Sequence, residues 1–383
     1  MGKEFDMTKV QRGARLRRTP YFEATQKHGA KGYTVYNHMF FPINFDDLER
    51  EYEALLNDVT VWDVSVERNV EITGPDAFAF TNLLTPRDLS QCAVGQGKYV
   101  VITAEDGGII NDPVLMRLGE NHFWLALADS DVLLWAKGVA VHSGMKVNIA
   151  EPDVSPMQVQ GPKSKQVVQA LFGDKVLDLP YYTFLDTKLD GISVIVTRTG
   201  WSAEVGFEIY LRDGSRGVEL WERVMEAGKP HNIRPTGPSD IRRIEAGILN
   251  YGADMTLENN PYEVGLGWLV DEDKQASYIG KQALRRIKAE GVKRKLVGVE
   301  IEGGRIEFNM TKWEVRRNGQ RVGRITSAIY SPRLETNIGY AMLPNEFAAL
   351  GTQVTVVMED REARKATVVQ KPFVDPKKDI PKS

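Results

Sequence analysis

The sequence predicts an α+β fold that ends in a compact β barrel. The chain has 383 residues, enough for two or three domains with a substantial core. A strand, a Gly-Pro turn and a helix follow one another over 70–80, and the same order returns over 153–164, so two related α+β units are expected. Beyond residue 296 the pattern is wholly strand-like with frequent turns, which indicates the barrel.

Composition and charge limit the classes of function. A formal net charge of -3 gives no reason to expect nucleic acid or a membrane surface as a partner, and no apolar run approaches the roughly 18 residues of a membrane span. Cys92 is the only cysteine, which excludes an internal disulfide and fits a reducing, cytoplasmic address. The five histidines lack the spacing of metal ligands, so no metal site is expected. Residues 1–19 are basic and have no apolar core, and we interpret them as an N-terminal arm rather than a secretory signal.

The segment after this arm holds the first candidate ligand-binding residues. Tyr33 and Tyr36 stand close to His38 in the sequence. They either line a pocket for a small polar ligand or pack against a neighbouring layer. Packing is the commoner fate of isolated aromatic residues, and both interpretations stay open at this point.

An alternating stretch over 64–72 predicts a half-buried strand. Its Glu67 and Arg68 are interpreted as an exposed ion pair, which contributes little to stability. The Gly-Pro-Asp that follows is expected to open a helix.

A β-hairpin is predicted around residues 97–118. Gly95-Gln96-Gly97 is not a dinucleotide-binding loop, because a strand-like run follows it instead of a helix. After Gly107-Gly108 the chain returns through Asn111 and Asp112. Asp112 either closes the hairpin as an ordinary turn residue or takes part in catalysis.

The central motif of the chain is Thr-Gly-Trp-Ser-Ala-Glu-Val-Gly-Phe-Glu-Ile-Tyr at 199–210. It lies between two apolar, β-branched runs, so we expect two strands joined by a loop whose turns are provided by Gly200 and Gly206. On the second strand Glu208 points away from its apolar neighbours. It is either part of a solvated strand face or, beside Trp201, the polar anchor of a flat heterocycle.

Polar residues also mark the segment 240–252. A helical pattern there contains Arg243 and precedes Tyr251. Arg243 either pairs with other parts of the structure or binds a polar ligand. A charged linker at 290–295 precedes the barrel, and residues 375–383 are expected to form a solvated tail.

Three of these motifs resemble the glycine cleavage T-protein, or aminomethyltransferase, family. The central motif is similar to its Thr-Gly-Tyr-Thr-Gly-Glu-x-Gly-Phe-Glu-Ile, the hairpin return to its Gly-Gly-(apolar)-x-Asp-Asp, and 240–252 to its Arg-Leu-Glu-Ala-Gly-x-x-x-Tyr-Gly. The resemblance continues in order along nearly all of the chain. It implies two interleaved, ferredoxin-like α+β domains over 20–288 and a β barrel over 289–374, arranged as a ring around a central folate site.

The resemblance also implies a cofactor and roles for individual residues. Tetrahydrofolate is the implied cofactor, with Glu208 at its pterin ring, because a carboxylate accepts two parallel hydrogen bonds from the amino group and a ring N–H. Asp112 matches the acid near N5 of the folate and is the implied catalytic carboxylate. Further candidates for cofactor binding are Tyr99, Asn111, Arg243 and Tyr251. Candidates for substrate binding are Trp201, Tyr36, Tyr33 and His38.

Several positions resemble one branch of that family, the tetrahydrofolate-dependent dimethylsulfoniopropionate demethylases. They are Trp62-Asp63-Val64, Val66-Glu67-Arg68 and Trp201, which is Tyr in T-proteins. The implied reaction moves a methyl group from a small methylated sulfonium or ammonium compound to N5 of tetrahydrofolate, giving 5-methyltetrahydrofolate. Ala203-Glu204-Val205 and Val264 depart from the demethylase pattern, so the cofactor is better supported than the donor.

Two alternatives belong to other functional classes. An aminomethyltransferase of the glycine cleavage type needs a lipoyl carrier protein as partner, and Val66 in place of that group's His disfavours it. A non-enzymatic folate-binding accessory protein of iron–sulfur assembly carries a Lys-Gly-Cys-Tyr-like motif, and 96–99 lacks the Cys. The expected partner is therefore a small-molecule methyl donor.

Overall fold

The computed structural model describes residues 13–383, so residues 1–12 of the predicted N-terminal arm lie outside it. In this part of the chain the helices are α1 (Phe22–Lys27), α2 (Leu48–Asn57), α3 (Ala77–Leu84), α4 (Val132–Ser143), α5 (Ser164–Phe172), α6 (Gly217–Gly228), α7 (Asp240–Glu245) and α8 (Lys281–Glu290). The strands before the barrel are β1 (Gly32–Tyr36), β2 (Met39–Asn44), β3 (Thr60–Asp63), β4 (Asn69–Thr73), β5 (Gly97–Tyr99), β6 (Ile102–Thr103), β7 (Ile109–Asn111), β8 (Val114–Gly119), β9 (His122–Ala126), β10 (Asn148–Ala150), β11 (Ser155–Gln160), β12 (Phe184–Leu189), β13 (Ile192–Thr197), β14 (Gly206–Leu211) and β15 (Arg234–Pro235). The barrel strands are β16 (Arg294–Ile301), β17 (Glu314–Arg317), β18 (Gln320–Ser331), β19 (Thr336–Pro344), β20 (Gln353–Val357) and β21 (Ala363–Val369).

Two large, mostly antiparallel sheets precede the barrel, in addition to the two-stranded sheets β1-β2 and β6-β7. One has the strand order β10-β4-β9-β8-β5 and the other β12-β13-β14-β11-β3-β15. β3 pairs with β11, although β4 to β10 lie between them in the sequence. The chain therefore starts in the second sheet, builds the first and then returns. This confirms the interleaved α+β arrangement.

Each sheet contains one copy of the predicted strand–turn–helix unit. β4 leads through Gly74 to α3, and β11 leads through Gly161 to α5. Both glycines have a φ of +118°, and a Cβ would come within 2.7 Å of a backbone oxygen at Gly74 and within 2.6 Å at Gly161. A side chain is excluded at both turns, which explains why both copies contain glycine there.

Apolar side chains form one core on the helix-covered face of each sheet and a third between the sheets. Trp221 of α6 belongs to the first core and Phe80 of α3 to the second, and both are fully buried. Between the sheets the rings of Trp124 and Tyr210 lie 6.4 Å apart, centroid to centroid. The sheets therefore pack face to face. None of the helices within residues 13–383 is both long and apolar enough to span a membrane.

The predicted C-terminal barrel is confirmed, with the closed order β16-β19-β18-β17-β20-β21. Its outer surface holds the short helix α7. The Tyr340 hydroxyl donates a hydrogen bond to the carbonyl of Ile244 at 2.9 Å, and Ser331 Oγ donates to Glu245 Oε1 at 2.6 Å. Closure removes the open sheet edges, and these buried contacts attach the barrel to the rest of the molecule.

One predicted strand is shorter than expected. Alternation indicated a strand over 64–72, but Ser65–Glu67 forms a 3₁₀ turn and β4 begins only at Asn69. The cause is local, because Asp63 Oδ1 accepts a hydrogen bond from the backbone N–H of Ser65 at 3.1 Å and bends the chain. That bend changes the direction in which Glu67 points.

The segment 375–383, predicted as a solvated tail, is largely exposed but has a defined conformation. The Asp375 carboxylate accepts the backbone N–H groups of Asp379 and Ile380, each at 2.9 Å. Pro381 is buried, and the carbonyl of Ser383 accepts a hydrogen bond from Arg198 Nη2 at 2.8 Å. The segment therefore packs on the body of the protein.

Candidate active site

A cavity of about 610 Å³ lies where the two sheets, the segment 247–268 and the last residues of the chain meet. We call it the central cavity. Its acidic side chains are Glu67, Asp112, Glu208 and Asp240, and its aromatic side chains include Tyr36, Trp62, Tyr99, Trp201, Tyr251 and Trp268. This volume is typical of small-molecule sites that lie between domains. Among residues 13–383 no cluster of His, Cys, Asp and Glu is arranged to hold a metal ion.

Glu208 is buried in the wall of the central cavity, with 4% of its surface exposed. The solvated-face alternative is thereby excluded. β14 pairs with β11 so that Glu208 lies opposite Gln158, whose Nε2 donates to Oε1 at 2.7 Å. Thr199 Oγ1 donates to Oε2 at 2.5 Å. Thr197 and Tyr210 also donate to Oε2, whereas Oε1 accepts only from Gln158 among the described residues. Burial raises the pKa of this carboxyl group and its hydrogen bonds oppose the rise, so the group is held rigidly and Oε1 keeps a lone pair free.

The loop that precedes Glu208 owes its shape to a buried glutamine. A Cβ on either Gly200 or Gly206 would lie 2.1 Å from Gln160 Oε1. Gln160 Nε2 donates to the carbonyls of Thr199 and Phe207, which ties the two ends of the loop together. These glycines therefore permit close approach of the Gln160 side chain. Neither has a positive φ, so close packing explains them and not backbone freedom.

Asp112 lies directly after β7 and lines the central cavity. Tyr99 OH donates to its Oδ2 at 2.8 Å. Its Oδ1 is buried and has no hydrogen-bond partner within the described residues. Burial raises the pKa of Asp112 to about 7, although the Tyr99 hydrogen bond acts in the opposite direction. A half-satisfied carboxylate of this kind is poised to accept a proton from a ligand.

Glu67 was missed as a site residue. The prediction of an exposed Glu67–Arg68 ion pair is wrong, because Arg68 Nη2 contacts Glu151 Oε2 at 2.6 Å while Glu67 lines the central cavity. Burial raises the pKa of Glu67 well above its usual value, and the negative charges of Glu208 and Asp112 raise it further. The signal that could have revealed it is the Asp63-Val64-Ser65 turn, which interrupts the strand.

Three predicted aromatic candidates join these acids in the cavity wall. Tyr36 lines the wall, and Tyr251 lines it while its hydroxyl donates to the carbonyl of Ile109 at 3.0 Å. Trp201 packs against the apolar cluster of Trp62 and its neighbours and also faces the cavity. The packing and binding interpretations of Trp201 are thus compatible.

Three other candidates do not line the central cavity. Tyr33 packs on Phe22. Residues three apart on a strand lie on opposite faces, and on β1 it is Tyr36 that faces the central cavity. The side chain of His38 is 65% exposed. Asn111 is buried and donates to the carbonyl of Ala128 at 2.9 Å, so it supports the wall without reaching the cavity.

Arg243 does not line the central cavity either. Its Nη1 lies 2.7 Å from Asp254 Oδ2, and its Nε lies 2.6 Å from Asp240 Oδ1. Nη2 donates to Ser327 Oγ of the barrel at 2.9 Å. The guanidinium also lies 5.9 Å from the ring centroid of Trp201. Arg243 therefore joins α7 to β18 behind the cavity wall.

Replacement of Arg243 by Ala is expected to lower the free energy of unfolding by about 3–5 kcal/mol, because it leaves Asp254 buried without its cation. Folate affinity of the folded protein should change little. Denaturant unfolding followed by fluorescence measures the first quantity, and Arg316→Ala, in an exposed pair of the same barrel, should change it far less. Lost folate binding with unchanged stability would contradict this placement.

Two lysines in the cavity lining also escaped the sequence analysis. Lys371 and Lys378 line the central cavity beside the last residues of the chain. Burial lowers the pKa of Lys371 to about 8. The cavity therefore has a cationic region in addition to its carboxylates. Both residues lie in a segment that, by composition, looked like a barrel end and a solvated tail.

The same two-part architecture is present in known protein families. The chain matches the GCVT N-terminal domain over residues 21–274 and the glycine cleavage T-protein C-terminal barrel domain over residues 294–375. The chain belongs to the glycine cleavage T-protein family. This T-protein family member is 40% identical over 346 residues to dimethylsulfoniopropionate demethylase DmdA of Ruegeria pomeroyi, with 90% of this chain and 94% of that protein covered.

Other relatives of the T-protein family point to the fold and to a second activity. An aminomethyltransferase of Caldanaerobacter subterraneus subsp. tengcongensis is 33% identical over 364 residues, which cover 94% of this chain and 96% of that protein. The crystal structure of glycine cleavage system aminomethyltransferase T from Bartonella henselae superposes with a TM-score of 0.84, covering 94% of this chain and 99% of that one. At 23% identity this likeness shows the fold.

Proteins of the T-protein family use tetrahydrofolate, and this chain is a tetrahydrofolate-dependent transferase of methyl or aminomethyl groups. The central cavity fits such a cofactor on two observations. Glu208 presents an anchored carboxylate that suits the amino group and N–H of a pterin. Asp112 Oδ1 is a buried acceptor without a partner in the described residues.

Proposed function

We propose that this protein transfers a methyl group from a small methylated sulfonium or ammonium compound, such as dimethylsulfoniopropionate, to N5 of tetrahydrofolate. The observation that carries the proposal is the pairing, in one cavity, of the Trp201 indole with the carboxylates of Glu67 and Asp112, neither fully satisfied by hydrogen bonds. Aromatic faces and unneutralised carboxylates both favour a cationic ligand.

Glu208 and the two lysines would hold the cofactor. Glu208 would bind the amino group and a ring N–H of the pterin, while Gln158 and Thr199 keep its carboxylate in place. Lys371 and Lys378 would attract the carboxylates of the glutamate portion. When bound, tetrahydrofolate supplies the nucleophilic N5 that takes the methyl group.

The residues of the chain then have three tasks. They must hold the methyl carbon and N5 in line, exclude water and remove the proton that the reaction releases. Asp112 Oδ1 would accept that proton, and the Tyr99 hydroxyl holds Oδ2 so that Oδ1 keeps its direction. No general acid is needed for the leaving group, because a sulfonium or quaternary ammonium departs as a neutral sulfide or amine.

Trp201 would bind the cationic centre of the donor. A cation over an indole face is stabilised by about 0.5–1 kcal/mol when exposed and about 2 kcal/mol when desolvated. The Arg243 guanidinium and the packing of Trp62 limit the movement of the ring. A fixed ring orients the donor as well as stabilising it.

Sequence identity favours dimethylsulfoniopropionate among possible donors. The chain shares 40% identity with the Ruegeria pomeroyi demethylase over nearly the full length of both proteins. Glu204, which departs from the demethylase pattern, contacts Arg242 Nε at 2.7 Å in a buried ion pair. Glu204 therefore serves structure rather than donor choice, whereas Ala203 and Val264, which also depart from the demethylase pattern, line the central cavity.

The deciding experiment is an anaerobic incubation of the purified protein with tetrahydrofolate and one methyl donor at a time. The donors are dimethylsulfoniopropionate, glycine betaine, dimethylglycine and sarcosine, and mass spectrometry identifies the folate products. We expect 5-methyltetrahydrofolate, formed fastest from dimethylsulfoniopropionate. Methylenetetrahydrofolate formed only with an aminomethyl-lipoyl carrier protein would instead support the aminomethyltransferase function of the relatives that are 33% identical.

The pH profile of this reaction follows from Asp112. Its pKa is raised to about 7 by burial, so below pH 7 the group carries a proton and cannot accept another. We expect kcat/KM for the donor to rise with pH and to level off above an apparent pKa near 7. Initial rates from pH 5.5 to 8.5 at low donor concentration test this. A flat profile would mean that Asp112 does not remove the proton.

A further inference from the structure

Glu67 brings a carboxylate to the central cavity without a charge partner. Its backbone is fixed, because it ends the Ser65–Glu67 turn and its carbonyl accepts the N–H of Leu127 at 2.8 Å. Within residues 13–383 its side chain takes part in no hydrogen bond or ion pair. The neighbouring cation, Arg68, is directed away and bound bidentately by Glu151. This part of the cavity therefore holds an acidic group that no cation of the described residues neutralises, and a bound cation would favour its charged form.

Within the described part of the chain, the side chains that face Glu67 bring no positive charge to compensate it. The carboxyl groups of Asp112, directly after β7, and Glu208, on β14, interact electrostatically with Glu67. The hydroxyls of Tyr210, on β14, and Tyr36, on β1, also interact electrostatically with Glu67. All of them are acids or phenols. A half-buried carboxylate among such groups is costly in its charged form unless a cation enters, and otherwise it takes up a proton.

The other three acids of the cavity are already engaged, and one of them, Asp240, is paired with Arg243 Nε at 2.6 Å. Glu208 is held by Gln158, Thr199 and Tyr210 in the position suited to a pterin. Asp112 is held by Tyr99 and offers its Oδ1 for the proton. Glu67 has no bonded partner within the described residues, and its own contact in the site is still to be assigned. No cluster of metal-binding side chains is present in the described residues, so an organic cation is the fitting partner rather than a metal ion.

We propose that Glu67 is the counter-ion of the methyl donor and that it selects a cationic donor over a neutral molecule of the same shape. The inference rests on the proposed function, and it names the residue that sets the substrate class. Trp201 would contact the methyl groups of the onium centre by its ring face, and Glu67 would neutralise the charge. Shape alone would then not be sufficient for binding.

The test compares each cation with its neutral-carbon isostere. Dimethylsulfoniopropionate is paired with 4-methylpentanoate, and glycine betaine with 3,3-dimethylbutanoate, so each pair differs only in the atom that carries the positive charge. Binding is measured by calorimetry on the protein saturated with folic acid, whose oxidised pterin does not accept a methyl group. No turnover is then needed for the readout.

For at least one pair we expect wild-type protein to bind the cation about tenfold or more tightly than its isostere, the size of one partly desolvated charge interaction. Glu67→Gln keeps the shape of the side chain and should reduce this ratio to about threefold or less, mainly by weakening the binding of the cation. Glu67→Asp should restore most of the preference. Asp131→Asn removes a charge whose side chain is 55% exposed and lies outside the cavity lining, and it should leave the ratio unchanged.

Two results would overturn the counter-ion assignment. One is a cation-to-isostere ratio that stays the same in Glu67→Gln, and the other is a wild-type protein that binds neither cation better than its isostere. Failure of the proposed function looks different. In that case no donor gives methylfolate, while the ratio still falls in Glu67→Gln and returns in Glu67→Asp.

Discussion

Replacement of Asp112 by Asn is expected to lower kcat by about 10²–10⁴-fold, the usual contribution of a positioned proton acceptor. Folate affinity should change no more than a few-fold, because Glu208 lies on a different strand and keeps its own hydrogen bonds. Asn is nearly the same size as Asp and can still accept the Tyr99 hydrogen bond. The variant therefore removes the acceptor at Oδ1 and little else. Single-turnover rates and equilibrium folate binding measure the two quantities separately.

Asp106→Asn is the matched control for this variant. Asp106 lies in the same hairpin, is exposed, and accepts only the backbone N–H of Gly108 through Oδ1. The Asp106→Asn variant should have the same kcat as the wild-type protein. If Asp112→Asn also turns over normally, Asp112 has no part in the mechanism. If it loses folate binding and turnover together, its role is in holding the cofactor.

Replacement of Glu208 by Gln is expected to weaken folate binding by about 10–100-fold, which corresponds to the 1.5–3 kcal/mol of a hydrogen bond to a charged group. The amide can accept one hydrogen bond from the pterin but not the charge-assisted pair. It also places an N–H₂ group against the donors Gln158 and Thr199, so some loss of thermal stability should accompany the weaker binding. Fluorescence titration with tetrahydrofolate and thermal unfolding measure both effects.

A second strand carboxylate provides the control. Glu71 on β4 accepts hydrogen bonds from His122 at 2.7 Å and Trp124 at 2.9 Å, and it lies outside the central cavity. Glu71→Gln should lower stability in the same manner without changing folate affinity. Equal folate affinity in Glu208→Gln and wild type would show that Glu208 is only a structural residue of the sheet.

Local sequence patterns were sufficient for much of the fold. Apolar runs before and after the loop of the central motif predicted β13 and β14, which pair as expected. The repeated Gly-Pro turns predicted two related units, and both glycines require the same φ. These features depend on the backbone and on neighbours a few residues away. A single sequence is therefore sufficient to predict these strands and the two repeated units.

The candidate site was predicted in part. The motif resemblance indicated Glu208, Asp112 and Trp201, and the structure places all three in one cavity. Arg243 was equally prominent in its motif, yet in the structure it forms ion pairs with Asp254 and Asp240. A charged residue in a motif looks the same in the sequence whether its partner is a ligand or another part of the chain. The partner is decided by residues far away in the sequence.

The sequence by itself determined the α+β units, the barrel and the acids of the central motif and the hairpin. Only the tertiary structure decided which polar side chains share the cavity. It directed Glu67 to the cavity and Arg68 to Glu151, and it brought Lys371 and Lys378 from the last segment to the same cavity. The physical reason is that burial and charge compensation are properties of groups brought together from distant parts of the chain, whereas periodicity records only which face of its own element a residue occupies.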